Sequence, residues 1–169
     1  AALAEKERAA VELEKELRQS FRGEGYRVPK TRFYGSTKEV ENLLYDETQK
    51  WHDSIAARGH VFWGFQDHSF VEQYGEWLKY HWRTRDDQQQ IRLFSNESKV
   101  ERRMRGKVDR RDIRPGPPQL KFDSTLWICG DYIVVLMTQR KPHYAYEIHD
   151  EVLSSTLRAL FGALWEAWG

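Results

Sequence analysis

Cysteine is almost absent from this 169-residue chain, which contains only Cys129. A single thiol excludes an internal disulfide framework and a zinc site built from several cysteines. One free cysteine also fits a reducing compartment, so we expect a cytoplasmic protein. Apolar runs of about 18 residues are missing as well, and we therefore expect neither a membrane span nor a membrane partner.

A strong charge of one sign is also lacking, because 27 Lys and Arg face 26 Asp and Glu. The whole chain therefore has no basic field of the strength that holds nucleic acid. Residues 99–111 are locally basic, with seven Lys or Arg against two acids. This stretch could contact nucleic acid or an anionic ligand, but it lacks the interleaved aromatic residues of a stacking platform, and a solvated helix face is the simpler interpretation.

Aromatic residues are abundant, at 14% with seven Trp, and they allow a large core. Residues 1–22 carry Leu3, Ala10 and Leu17 at a seven-residue spacing, which predicts a helix. This helix either packs on its own domain or pairs with a second copy, and the second interpretation implies a homodimer. The chain begins at Ala1 inside this helical pattern, so we expect it to be part of a longer protein.

The remaining pattern, residues 28–169, predicts a single α/β domain. Strands alternate with amphipathic helices up to about residue 115, and strands then follow one another before a final helix. The segment "FDSTLWICGDYIVVLM" (122–137) reads as a tight hairpin. Capping boxes predict helix starts at Ser36, Ser69 and Ser98, and Asp150 caps the last helix. We expect a mixed β-sheet flanked by helices on both faces and preceded by the N-terminal helix.

Polar residues follow two of the predicted parallel strands, where ligands bind in open α/β sheets. A third strand ends in Thr138, Gln139 and Arg140. These positions predict a site for a small polar molecule, and no cofactor or metal is expected because phosphate loops and metal-binding His spacings are missing. The alternative is that the serines only cap helices and that the His is solvated. The candidate ligand-binding residues are Gln66, Asp67, His68, Ser69, Ser95, Asn96, Ser98 and Arg140.

Two stretches, "VPKTRFYGSTKEVENLLYDE" (28–47) and "EIHDEVLSSTLRALFGALWEAW" (147–168), resemble TrmB-type transcriptional regulators. The intervening "IRLFSN" and the "IRP" before Gly116 occur in matching order. The resemblance implies a C-terminal effector-sensing domain, in some members similar in fold to phospholipase D, joined by a dimerisation helix to a DNA-binding winged helix. No winged helix is visible in residues 1–169, so contact with DNA is expected only through an upstream domain absent from this chain.

Phospholipase D-type enzymes use a His nucleophile, a Lys two residues later and an Asp five further on. When this spacing is aligned with the hairpin of residues 122–137 so that the turns coincide, the three catalytic positions are occupied by Phe122, Ser124 and Cys129. Phe has no nucleophilic atom and Ser has no charge with which to hold a phosphoryl group. The resemblance therefore implies a scaffold that has lost its catalytic triplet.

We accordingly expect a non-enzymatic ligand-sensing domain of a dimeric DNA-binding regulator. One alternative is a divergent phosphodiesterase-like hydrolase that uses Asp67, His68 or Cys129 in another mechanism. Cys129 has no basic neighbour in sequence, which favours a buried structural thiol over a nucleophile. The other alternative is a protein-interaction domain that uses exposed aromatic residues.

Overall fold

The computed structural model describes residues 8, 10–13, 15, 28–96 and 98–168. Within residues 28–168 the chain forms seven strands and five helices in the described part. The strands are β1 (Lys30–Tyr34), β2 (Val61–Gln66), β3 (Gln90–Ser95), β4 (Arg111–Pro115), β5 (Thr125–Cys129), β6 (Tyr132–Met137) and β7 (Tyr144–His149). The helices are α1 (Thr37–Ala57), α2 (His68–Gln73), α3 (Gly75–Thr84), α4 (Lys99–Met104) and α5 (Glu151–Ala167).

The seven strands form one mixed sheet in the order β1-β7-β6-β5-β2-β3-β4. Strands β2, β3 and β4 are parallel neighbours, and the pairs β2–β5, β5–β6, β6–β7 and β7–β1 are antiparallel. Strands β2, β3, β4 and β6 therefore all end at the same edge of the sheet, which we call the carboxyl edge. Strand β5 begins at that edge because it runs in the opposite direction.

Helices cover both faces of the sheet, as the sequence predicts. Helices α1 and α3 pack on one face over three fully buried indoles, Trp51, Trp77 and Trp127, each at most 1% exposed. Helix α5 covers β2, β5 and β6 on the opposite face through Phe161 and Trp165. A buried aromatic side chain removes about 150–250 Å² from water, worth about 4–6 kcal/mol of transfer free energy. Many of the abundant aromatic side chains therefore lie in the hydrophobic core.

Local signals set several element boundaries. Ser36 caps α1 by accepting a hydrogen bond from the Glu39 amide at 3.2 Å. Asp150 caps α5 by accepting two amide hydrogen bonds. The predicted hairpin is β5 and β6, and its turn places Gly130 at φ 63° against the main chain of Ser54 in α1. A Cβ atom at that position would lie 2.3 Å from the Ser54 carbonyl oxygen, so glycine is required there.

One helix prediction needs correction here. The single helix expected from Ser69 onward is two helices, because the chain leaves helical geometry at Tyr74 before α3 starts at Gly75. The apolar side of α5 is only partly buried, since Leu153 and Leu160 are 43% and 50% exposed. The predicted N-terminal helix is described only at residues 8, 10–13 and 15, which are helical, and the rest of it lies outside the described residues.

Candidate functional site

The carboxyl edge brings together side chains that are far apart in sequence. Asp67 directly follows β2, Asn96 directly follows β3, and Thr138 directly follows β6. Strand β5 enters the same edge and contributes Thr125 and the main chain of Phe122. The prediction that polar residues gather beyond these strand ends follows from the strand directions, because three of these strands end there and the fourth starts there.

Asp67 is the centre of the first cluster and is fully buried. Its carboxylate accepts a hydrogen bond from the Ser69 hydroxyl and lies 3.1 Å from Nδ1 of His68. Its backbone N–H donates to the Thr125 hydroxyl at 3.0 Å. The Asn96 amide nitrogen lies 3.5 Å from the same carboxylate. A buried carboxylate is tolerated because several donors surround it.

Ser69 does not cap a helix, and that prediction is wrong. The helix begins at His68 with Asp67 at the cap position, two residues before the predicted cap, and the Asp67 side chain makes no capping hydrogen bond. The Ser69 hydroxyl instead pairs across the edge with the Thr138 hydroxyl at 2.8 Å. Gln73 ties the same region down by donating to the Thr138 carbonyl at 2.9 Å. These contacts link the entry of α2 to the end of β6.

Asn96 acts as a clamp on the segment that leads into β5. Its amide nitrogen donates to the Phe122 carbonyl at 2.7 Å, and its amide oxygen accepts from the Phe122 N–H at 2.8 Å. The Phe122 ring is buried and stacks on Phe65, with ring centroids 4.6 Å apart and an interplanar angle of 9°. The position matched to the catalytic His therefore contributes to a hydrophobic cluster.

A second cluster lies around the ends of β2 and β3. Gln66 and Ser95 are 1% and 2% exposed, and the Ser95 hydroxyl donates to the Gln66 carbonyl at 3.2 Å. The Gln66 amide donates to Glu101 at 3.3 Å, and Glu101 in turn accepts two hydrogen bonds from Arg111 at 2.9 and 3.0 Å. The polar groups of this cluster are thus bonded mainly to one another.

The eight candidate residues therefore separate into groups. Asp67, His68, Ser69 and Asn96 belong to the first cluster, and Gln66 and Ser95 belong to the second. Ser98 caps α4 as predicted, by accepting a hydrogen bond from the Glu101 amide at 3.1 Å. Arg140 is exposed and has no side-chain hydrogen bond to the other candidates among the described residues. The prediction that these residues bind a ligand stays a prediction.

Open space at the carboxyl edge lies beside β3 and β4. A cavity of about 120 Å³ is bordered by Ser95 and Asn96 on one side and by arginines of α4 and β4 on the other. The position of the basic stretch, residues 99–111, beside the candidate residues was not predicted. The signal that links them is the parallel pairing of β3 with β4, which sets Ser95 opposite Pro115.

Cys129 lies in the core under α1 and is fully buried. Burial, with a smaller contribution from Glu147, raises the pKa of the Cys129 thiol well above its ordinary value. A thiol of this kind is a poor nucleophile at neutral pH, because the thiolate is the reactive form. The described residues include no group of three or more His, Cys, Asp or Glu side chains placed to hold a metal ion.

None of the helices in the described ranges combines the length and the apolar character that crossing a bilayer demands.

Comparisons with known proteins identify the fold. No protein-family model matches the chain, and no curated protein sequence matches it. Among solved structures, NucT from Helicobacter pylori is similar with a TM-score of 0.51 and 6% identity, over 82% of this chain and 97% of NucT. TrmBL2, an archaeal chromatin protein, has a TM-score of 0.49 and 12% identity, over 98% of this chain and 64% of TrmBL2. The chain thus spans less than two thirds of TrmBL2. The similarity to NucT supports the expected fold class, a mixed α/β sheet flanked by helices.

Proposed function

We propose that this chain is a non-enzymatic, ligand-sensing domain of a dimeric transcription regulator whose DNA-binding winged helix lies upstream. The observation that carries the proposal is the chemistry at the three positions matched to the phospholipase D triplet. Phe122 is buried and stacked on Phe65, Ser124 carries no charge, and Cys129 is a buried thiol with a raised pKa. A scaffold of this fold without its nucleophile, its cation and its carboxylate is better suited to binding than to phosphoryl transfer.

The two stretches that resemble TrmB-type regulators also support this proposal. Residues 28–47 include β1 and half of α1, and residues 147–168 include the end of β7 and all of α5. These stretches meet in the folded chain, because β1 pairs with β7 from Lys30 opposite His149 to Tyr34 opposite Ala145. These two stretches therefore form one contiguous part of the domain, next to the residues that precede β1.

The proposed mechanism is a shift between two arrangements of a dimer. A ligand that binds one arrangement more tightly than the other shifts the population toward it, by at most its differential affinity for the two. The arrangement would set the spacing of the two DNA-binding domains. In this proposal the carboxyl edge holds the ligand and the N-terminal helix joins the two copies.

Sedimentation equilibrium tests the dimer directly. The 169-residue chain should sediment as a dimer, and deletion of residues 1–20 should shift it toward the monomer. Leu13→Asn, at an exposed leucine between Ala10 and Leu17, should weaken self-association, and the neighbouring Glu12→Gln serves as the matched control. An unchanged mass after the deletion would remove the dimerisation part of the proposal.

A second candidate function, a hydrolase, is favoured by one observation. His68 is 39% exposed and its Nδ1 lies 3.1 Å from the buried carboxylate of Asp67, the arrangement that orients a histidine for proton transfer or nucleophilic attack. A colorimetric phosphodiester such as bis(p-nitrophenyl) phosphate distinguishes the candidates. The sensing domain should show no hydrolysis above buffer. Hydrolysis that is lost in His68→Ala but kept in the control His149→Ala would establish the hydrolase instead.

A further inference from the structure

A cavity lies at the edge of the sheet opposite the carboxyl edge, where β1 begins, and we call it the junction cavity. It encloses about 230 Å³, the volume of about eight water molecules. Strands β1, β7 and β6 form its floor, since Lys30 pairs with His149 and His149 pairs with Tyr132. Helix α1 contributes one wall. The lining residues are Lys30, Arg32, Lys50, Tyr132, Glu147 and His149.

The alternation of side chains along the strands brings the charged groups of the junction cavity to one face of the sheet. Lys30 and Arg32 are two positions apart in β1, and Glu147 and His149 are two positions apart in β7, so each pair points to one face. Arg32 lies opposite Glu147 in the register of the two strands. This face is the one that packs on α1, because Trp51 of α1 donates its Nε1–H to Glu147 at 2.8 Å.

Glu147 is 4% exposed and has fewer hydrogen bonds than the other buried carboxylates of the described residues. Those carboxylates each accept two or more side-chain hydrogen bonds, and they are Asp67, Glu101 and Asp131. Glu147 accepts one, at Oε2 from Trp51. Its Oε1 has no donor within hydrogen-bond distance among the described residues, since Nη1 of Arg32 lies 3.9 Å away. A buried carboxylate that lacks donors is costly, and a ligand that supplies one removes this cost.

The electrostatics of Glu147 support the same conclusion. Burial raises the pKa of the Glu147 carboxyl, and the Glu47 carboxylate raises it further, while Trp51, Lys50 and Arg32 act in the opposite direction without cancelling the effect of burial. Lys50 and Arg32 are shared with Glu47, with which both form ion pairs. A further positive group at Oε1 therefore stabilises the ionised form of Glu147.

Positive groups lie at the open side of the junction cavity, on the outermost strand. Lys30 is exposed, and Arg32 has a side chain that is 55% exposed. Two positions along a strand are about 7 Å apart, so both side chains can reach one small anionic group. Lysine and arginine bind carboxylates through charge-assisted hydrogen bonds. The cavity thus offers an acceptor at its buried end and cationic donors at its open end.

We propose that the junction cavity binds a small zwitterion, and that the ligand class is a free α-amino acid. The ammonium group donates to Oε1 of Glu147, and the carboxylate accepts hydrogen bonds from Arg32 and Lys30. One carbon separates the two charged groups of an α-amino acid, and the opposite charges of the cavity are comparably close, with 3.9 Å between Nη1 of Arg32 and Oε1 of Glu147. A dicarboxylate or a phosphate places negative charge beside Glu147, and a diamine places positive charge beside Arg32, so both fit less well.

This inference goes beyond the proposed sensing function, which assigns a ligand to the carboxyl edge. Binding is measured on the full 169-residue chain and requires neither a dimer nor DNA. Differential scanning fluorimetry with each common free L-amino acid at about 1 mM should identify at least one that raises the Tm, because a ligand that binds the folded state stabilises it. Sodium chloride at the same concentration should leave the Tm unchanged. Isothermal titration of that amino acid then gives its Kd.

Two analogues of that amino acid test which of its groups are recognised. The amine that lacks the carboxylate and the carboxylic acid that lacks the ammonium group each lose one charged contact. Both should bind about tenfold more weakly or worse, since a hydrogen bond between charged groups contributes at least that factor.

Variants of the chain supply the matched controls. Glu147→Gln keeps an oxygen that can accept from Trp51 but removes the charge, and it should weaken binding of the amino acid by about tenfold or more. Glu72→Gln removes the same charge from an exposed position of α2 outside the cavity, and it should bind like the unmodified chain. Lys30→Gln, at an exposed position, should weaken binding of the amino acid without weakening binding of its amine analogue.

No increase in Tm with any of the amino acids would overturn the inference and leave the sensing proposal at the carboxyl edge as it stands. Equal affinities of Glu147→Gln and Glu72→Gln would also overturn it, as would equal losses of amino acid and amine in Lys30→Gln. Binding that weakens as expected in these variants supports the junction cavity even if the chain sediments as a monomer, a result that would reject only the dimer of the proposed function.

Discussion

The buried histidine pair between α1 and α3 makes the free energy of unfolding depend on pH. His52 and His81 are 3% and 2% exposed, and Nε2 of His52 lies 3.0 Å from Nδ1 of His81. Burial lowers the pKa of His81 well below its ordinary value, and the neighbouring His52 and Arg85 lower it further. Burial likewise lowers the pKa of His52, although Thr84 and Asp53 oppose this effect.

The direction of the pH effect follows from proton binding. Below about pH 6.5 the unfolded chain binds protons at these histidines while the folded chain does not, so acid favours unfolding. The stabilising contribution is therefore complete above this pH and is lost as the pH falls. If one histidine stays neutral in the folded state, the free energy of unfolding falls by about 2 kcal/mol between pH 7 and pH 5. The decrease doubles if both histidines stay neutral.

Urea unfolding followed by tryptophan fluorescence at pH 7, 6 and 5 measures this dependence. The comparison is with the double variant His52→Gln and His81→Gln, whose amides do not titrate but can share one hydrogen bond. Between pH 7 and pH 5 the free energy of unfolding should fall by about 2–4 kcal/mol less in the variant than in the unmodified chain. His143, whose pKa is also lowered by burial, is present in both proteins and cancels. Parallel pH profiles for the two proteins would refute the reasoning.

Three further predictions concern the framework around the candidate site. Asn96→Ala should destabilise the fold by about 2 kcal/mol in urea unfolding, because it leaves a main-chain donor and acceptor unpaired, whereas Asn42→Ala at an exposed position of α1 should change stability by less than about 0.5 kcal/mol. Gly130→Ala should lower the free energy of unfolding by about 2 kcal/mol or more. Gly162→Ala, where a Cβ meets no atom within 4 Å, should instead raise it by about 1 kcal/mol by stabilising α5. Cys129 should react with a thiol reagent about a thousandfold more slowly in the native protein than in denaturant, and fast native labelling would contradict its burial.

Most of the element boundaries could be predicted because the signals are local. The hairpin of β5 and β6 is encoded by apolar and β-branched residues on both sides of one glycine turn. The starts of α1, α4 and α5 are encoded by Ser36, Ser98 and Asp150, whose side chains cap the next turn. Each of these three caps acts on a residue at most three positions later in the chain, so the sequence alone reveals it.

The helix start assigned to Ser69 shows where a local signal misleads. Ser69 has the correct spacing to Glu72 for a capping box, but the Asp67 carboxylate and the Thr138 hydroxyl take up its hydroxyl group. Thr138 is 69 residues away in the chain, so no sequence window contains both partners. A long-range contact at the carboxyl edge therefore overrides the local preference.

The connections of the candidate site have the same origin. Thr125, which accepts a hydrogen bond from the Asp67 amide across 58 residues, carries no pattern that distinguishes it from other strand threonines. The His52 and His81 pair is 29 residues apart and lies on two helices whose packing only the fold defines. The mixture of parallel and antiparallel strands could be inferred from the sequence. Which side chains meet at the edge depends on register, and register depends on all seven strands together.

The position of β1 has a consequence for how any signal could leave the domain. Lys30 begins β1 at the edge of the sheet opposite the carboxyl edge, and β1 and β4 are the two outermost strands. Six inter-strand steps of about 4.8 Å separate them, so the β4 end of the carboxyl edge lies about 30 Å from the point where the upstream residues attach. A rearrangement confined to the loops at the β4 end would not reach that point. In the proposed sensing domain, a signal from this end would therefore need a tilt of the whole hydrogen-bonded sheet, or a second molecule that contacts the β4 end.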